Sequence, residues 1–228
     1  MMWLYSLIPV AVAAAGAIWT TLRPPSPKVI GAIQHFAAGV VFYAAAGEIL
    51  PDAVRQGTVW PVILGGGISI VAMLLLRHVT EGSEQRPIGL VAAAGVDALI
   101  DGLVLGLGFN AGRQQGMLLA IALAIEFLFL GLSITGALGK QTSWWIVIGS
   151  AIGVSLCVPL GALIALPVAR LPRVWQTVAF AFGLIALLYL VTEELLTEAH
   201  ERPETAWGTA AFFVGFLALT VMSEMMAS

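Results

Sequence analysis

What this chain has least of is charge. Asp, Glu, Lys and Arg make up 10% of its 228 residues, against about a quarter in a soluble domain, so it cannot cover itself with a polar surface. With 60% hydrophobic residues and a mean hydropathy of +0.98, it reads as an all-α, multi-pass membrane protein. The single cysteine, Cys157, excludes an internal disulfide and any cysteine cluster for zinc or iron–sulfur; inside an apolar run it reads as a small packing residue. The net charge of −3 is scattered over short connections without a basic patch, which excludes nucleic acid as a partner. Serines within the apolar runs have no neighbouring histidine, and no His-Glu-x-x-His occurs, so neither an enzyme nor an organic cofactor is expected. Positive charge is also missing before Arg23, unlike a cleaved signal peptide, so the N-terminal stretch reads as a membrane helix.

A spanning helix needs about 20 mostly apolar residues. Eight stretches qualify: 2–22, 29–54, 58–77, 87–111, 115–138, 144–167, 174–197 and 206–226. Arg23-Pro24-Pro25-Ser26-Pro27-Lys28 closes the first, because such a run cannot continue a helix. The third is entered through Gly57 and Trp60, and the connection from Arg77 to Arg86 holds most of the mid-chain charge. Trp144 and Trp145 at the start of the sixth suit an interfacial belt. The connections leave no room for a soluble domain, so 1–228 reads as a single transmembrane domain in the inner (cytoplasmic) membrane, with the lipid bilayer as its surroundings. Alternate loops carry six basic residues (Arg23, Lys28, Arg77, Arg86, Lys140, Arg202) against four (Arg55, Arg113, Arg170, Arg173). By the positive-inside rule both termini are then extracellular or periplasmic.

Against this apolar background three acids stand out. Asp97 and Asp101 lie four residues apart in the middle of the fourth span, so they point to one side of a helix. Glu126 lies in the middle of the fifth. Counted from the hairpin at Arg113, Asp101 is 12 residues back, Asp97 is 16 and Glu126 is 13 forward. At 1.5 Å per residue the three lie within about one turn of one another in depth. Each ionised carboxylate at mid-membrane costs roughly 2.5–3.5 kcal/mol on insertion scales, and no Lys or Arg lies in a span core. The groups are therefore protonated, line water or bind a cation. An empty trio holds at least one proton at neutral pH, which an arriving divalent cation displaces.

Other polar groups say less. Glu48, Glu193 and Glu194 lie near span ends, where a carboxylate is either simply solvated or a way station for the same cation. His35, at the start of the second span, is either interfacial or shares the face of Glu193 and Glu194. His78 and His200 fall in loops. Gly65-Gly66-Gly67, Gly102-x-x-x-Gly106 and Gly149-x-x-x-Gly153 permit close helix approach. Glu48-Ile-Leu-Pro-Asp-Ala53 and Glu194-Leu-Leu-Thr-Glu-Ala199 echo each other at the ends of spans two and seven, which run in opposite directions, as inverted repeats of a transporter would.

Together these segments resemble the ZIP (zinc- and iron-regulated-transporter-like) family of divalent metal transporters, especially its bacterial members. The family's fourth-span His-Asn-x-Pro-Glu-Gly corresponds to Asp97-Ala98-Leu99-Ile100-Asp101-Gly102. The similar fifth-span motif corresponds to Glu126-Phe127-Leu128-Phe129-Leu130-Gly131, and the sixth-span Glu-Pro-Leu-Gly-Ala to Val158-Pro159-Leu160-Gly161-Ala162. Glu48 to Ala53 matches the end of the family's second span, and Glu193-Glu194-Leu195-Leu196 resembles the seventh-span segment. The resemblance implies eight helices in a 3+2+3 arrangement with an inverted repeat. It further implies a homodimer through the glycine-rich third span, and spans one, four, five and six rocking against two, three, seven and eight.

It also implies a two-metal centre. Of the first metal's positions, Asp97, Asp101 and Glu126 keep a ligand and Leu130 does not. The second metal's positions Ala98, Phe127 and Val158 cannot bind. Both motif prolines are replaced, by Ile100 and Phe129, which removes the expected cause of helix kinks at the site. The expected activity is secondary transport of a divalent metal as substrate (Zn, Fe, Mn or Cd). An all-carboxylate set favours harder ions than a zinc-dedicated relative. Transport of protons or a monovalent cation, and a non-transporting membrane role, are the alternatives.

Overall fold

The computed structural model describes residues 2–54, 58–81, 87–138, 142–201 and 206–227. Gly57 and the loop charges Arg55, Arg86, Lys140 and Arg202, on which the orientation argument draws, lie outside the described residues. Among the described residues there is no strand, and eight helices are long and apolar enough to cross a membrane. They are α1 (Trp3–Leu22), α2 (Pro27–Val54), α3 (Val59–His78), α4 (Val91–Ala111), α5 (Arg113–Ile134), α6 (Trp144–Val168), α7 (Arg173–His200) and α8 (Trp207–Ala227).

Prolines set several boundaries. Ser26 is extended (φ −68°, ψ 152°) and Pro27 opens α2, where its missing N–H costs nothing. Pro9 and Pro159 act inside spans instead. Each denies a hydrogen bond to the carbonyl four residues earlier, so α1 is interrupted at Leu7 and α6 at Leu156. The sixth span is thus two helical pieces, Trp144–Ser155 and Cys157–Val168, where the hydropathy pattern predicts one. Two further irregularities are π-helical: Ala44–Ile49 within α2 and Leu190–Leu195 within α7. They carry Glu48 and the pair Glu193 and Glu194, so the two echoing segments also share a backbone irregularity of the kind that marks functional sites.

Four helix pairings dominate: α1 on α5, α4 on α6, α2 on α8 and α3 on α7. With the α4–α5 contact they form two groups, α1/α4/α5/α6 and α2/α3/α7/α8. α5 is the most enclosed span, with 61% of its apolar window buried, and α8 the least, with 11%; the centre of the molecule therefore lies at α5. Glycine permits the tightest pairings. A Cβ at Gly131 would strike the Ala13 carbonyl of α1, and one at Gly16 the Leu128 carbonyl of α5. Gly102 and Gly161 stand in the same reciprocal relation between α4 and α6, as do Gly39 and Gly215 between α2 and α8. Gly65 meets the Val178 backbone of α7. Gly149 and Gly153 do not behave as expected: both are exposed and have nothing within 4 Å of a built Cβ.

This contrast makes a test. Gly39→Ala must push α2 from α8, at a cost of about 1–3 kcal/mol typical of overpacking, and should lower the thermal unfolding midpoint in detergent. Gly153→Ala should leave it unchanged.

Candidate functional site

Asp97 and Asp101 project from α4 and Glu126 from α5. One carboxylate oxygen from each lies within 4.8 Å of the others. Asp101 is 2% exposed and Glu126 6%, while Asp97 is half-buried. The carboxyl groups of Asp101 on α4 and Glu126 on α5 thus neighbour each other across the helix contact. Their outer oxygens, Asp101 Oδ2 and Glu126 Oε2, are buried without a partner. The helices carrying them run unbroken through the site, as Pro87–Ala111 and Arg113–Leu138, consistent with Ile100 and Phe129 in place of proline. Ala98, Phe127 and Val158 are buried in the apolar core.

A cavity of about 640 Å³ reaches the trio. Six acids line it: Asp97, Glu126, Glu193, Glu194, Glu198 and Glu201. Arg77 is the one basic side chain among the described lining residues, and it is bonded to Glu193 at 3.0 Å. Such a one-signed, low-dielectric cleft concentrates cations. A second cavity, of about 540 Å³, opens elsewhere between the two helix groups, with Asp52, Asn110, Arg173 and Gln176 on its walls and Leu107 and Phe180 among its lining. Leu107 lies six residues beyond Asp101 on α4, about 9 Å along the helix. Buried Val104 stands between them in sequence, against Gly183 of α7.

The flanking residues separate into different roles. Glu194 lines the same cavity as Asp97 and Glu126, from the other helix group, so it belongs to the centre's surroundings rather than to a solvated span end. Glu193 turns to Arg77. Glu48 is 7% exposed and accepts a hydrogen bond from Ser223 Oγ at 2.9 Å; it too is no solvated end. His35 is buried, and its ring lies 5.4 Å from that of His200. Neither His200 nor His78 is in a loop: His200 ends the helix Leu196–His200, and His78 lies within Val59–Glu81. Glu198 and Glu201, assigned by sequence to a polar loop, line the cavity. The signal was available, because 194, 198 and 201 follow the spacing of one helix face.

Comparison with protein-family models and with curated proteins finds no match to this chain. The site's chemistry has to speak from its own residues. Three carboxyl groups crowd into a water-poor interior with two orphaned oxygens, so neutralising one should relieve repulsion. Asp101→Asn and Glu126→Gln are therefore expected to raise the thermal midpoint in metal-free detergent. A fall in both would mean that the carboxylates hold the fold together.

Proposed function

We propose that this protein is a secondary transporter of divalent metal cations, a divergent relative of the ZIP family, and that Asp97, Asp101 and Glu126 bind the cation during its passage. The observation that carries this reading is the convergence of three carboxylate oxygens within 4.8 Å at the foot of an acid-lined cavity. A cation supplies the charge that the buried oxygens lack. Because the donors are all oxygen, the site suits Mn2+, Fe2+ or Zn2+ held with residual water, and no organic cofactor enters the reading.

The arrangement of helices supports the same reading. Exchanging spans one to three for six to eight, and four for five, converts the α1–α5 pairing into α6–α4 and the α2–α8 pairing into α7–α3. Those pairings support a 3+2+3 inverted repeat. The trio rides on one helix group and Glu194 on the other, with the two cavities between the groups. Rocking of α1/α4/α5/α6 against α2/α3/α7/α8 would expose the trio to each cavity in turn. In this reading both termini are outside the inner (cytoplasmic) membrane, and the protein works as a homodimer. Glu194 passes the ion between the trio and the mouth.

A second reading, transport of protons or a monovalent cation, draws on the buried oxygens Asp101 Oδ2 and Glu126 Oε2, which lack a partner and which protons would satisfy as a metal would. Metal-dependent stabilisation separates the two. Mn2+ or Zn2+ at a hundredfold excess over Kd should stabilise the purified protein by about 2.7 kcal/mol. Metal flux into proteoliposomes should fall at least about tenfold, the lower range for disturbing a metal site, in Asp101→Ala and Glu126→Ala. Wild-type flux in both variants would remove the metal reading.

A further inference from the structure

We propose that His35 and His200 form a second, independent site for a borderline divalent transition metal beside the mouth of the acid-lined cavity. Both rings are oriented in the same way. His35 Nδ1 is 2.9 Å from the Gly31 carbonyl oxygen, and His200 Nδ1 is 2.5 Å from that of Leu196. A carbonyl only accepts, so each neutral ring carries its proton on Nδ1 and keeps the Nε2 lone pair. Anchoring one ring nitrogen on a backbone carbonyl is also how metal-binding imidazoles are oriented. Among the described residues neither Nε2 makes a hydrogen bond.

The separation fits an ion. A tetrahedral metal held by two Nε2 atoms at about 2.05 Å would set the ring centroids about 5.2 Å apart; they are 5.4 Å apart here. The neighbours are polar. Gln34, wholly buried, donates from Nε2 to Glu198 at 2.9 Å, and its Oε1 has no partner. Glu198 and Glu201, on either side of His200, line the cavity. Both imidazoles sit in the α2/α3/α7/α8 group, so the site does not depend on the carboxylate centre or on any movement of the helices that carry it. Imidazole selects Zn2+, Co2+, Ni2+ or Cu2+ over Mn2+ and Mg2+. The remaining coordination positions are filled by water.

The test uses the full chain in detergent. In the Asp101→Asn/Glu126→Gln double variant, equilibrium dialysis should find one Zn2+ per chain. A Cu2+ probe should show superhyperfine coupling to two imidazole nitrogens. Adding His200→Asn, at an exposed position, should abolish both signals; so should His35→Asn, whose amide still offers a donor to Gly31. If the double variant does not fold, His200→Asn alone should bind one Zn2+ fewer than wild type. Two-nitrogen coupling that survives His200→Asn, or no Zn2+ and no coupling in the folded double variant, overturns the proposal. Binding at the imidazoles without any at the carboxylates supports it, and would count against metal transport through the central trio.

Discussion

An ionised carboxylate in a medium that cannot solvate it is the constraint on which this structure turns. One such group can be satisfied by a neighbouring hydroxyl or neutralised by a proton. Three, with oxygens inside a 4.8 Å cluster, cannot be satisfied by one another, since each is an acceptor and only protons or a cation reverse the sign. The surrounding chain supplies almost no other help. Ala98, Phe127 and Val158 belong to the buried apolar core, and the basic residue on the cavity wall, Arg77, is already bonded to Glu193. The site is left electrically incomplete, while the glycine-tight pairings of α1 with α5 and α4 with α6 prevent it from collapsing or splaying.

That rigidity and the cavities are two sides of one design. Within each helix group, reciprocal glycines bring backbones into contact and leave no space. Both cavities lie between the groups. The rocking proposed above would occur between the groups, where the cavities lie. It also explains why Glu194 differs from the trio in role. Carried on a π-helical turn of the opposite group, it is among the cavity acids whose distance from Asp97 and Glu126 would change if the groups moved.

Sequence reasoning reached the trio because depth is arithmetic. Helices of fixed rise, counted from a shared hairpin, place Asp97, Asp101 and Glu126 at one level without reference to tertiary structure. The eight spans were legible for a similar reason, since hydrophobic length is dictated by the bilayer. What the sequence hid depends on rotation and on local backbone irregularity. Glu48 and Glu194 fall where a span appears to end, yet π-helical turns continue both helices and rotate these carboxylates away from solvent. Gly149 and Gly153 have the spacing of a packing motif and yet are exposed, since spacing alone does not say which way a helix face turns. His200 was dismissed as a loop residue because charge around it mimicked a polar connection; the i, i+4, i+7 acids show it to be the last turn of a helix.

The two candidate sites differ in a way that bears on selectivity. An oxygen-only centre discriminates poorly between Mn2+, Fe2+ and Zn2+, because carboxylates bind all of them and impose little geometry. A pair of imidazoles discriminates well, but holds its preferred ions too firmly to be a good midpoint for transport. Placing imidazoles at the rim and carboxylates at the centre divides these tasks. On the two proposed readings together, the imidazole pair would capture borderline ions from a dilute pool, and the acids lining the cavity would lower the cost of giving them up. An ion that leaves His35 and His200 for Glu194 exchanges two neutral donors for a negative one, and each further step toward Asp97 adds charge. On that reading the gradient that would draw an ion inward is electrostatic, built from the same carboxylates whose burial would otherwise count against the fold.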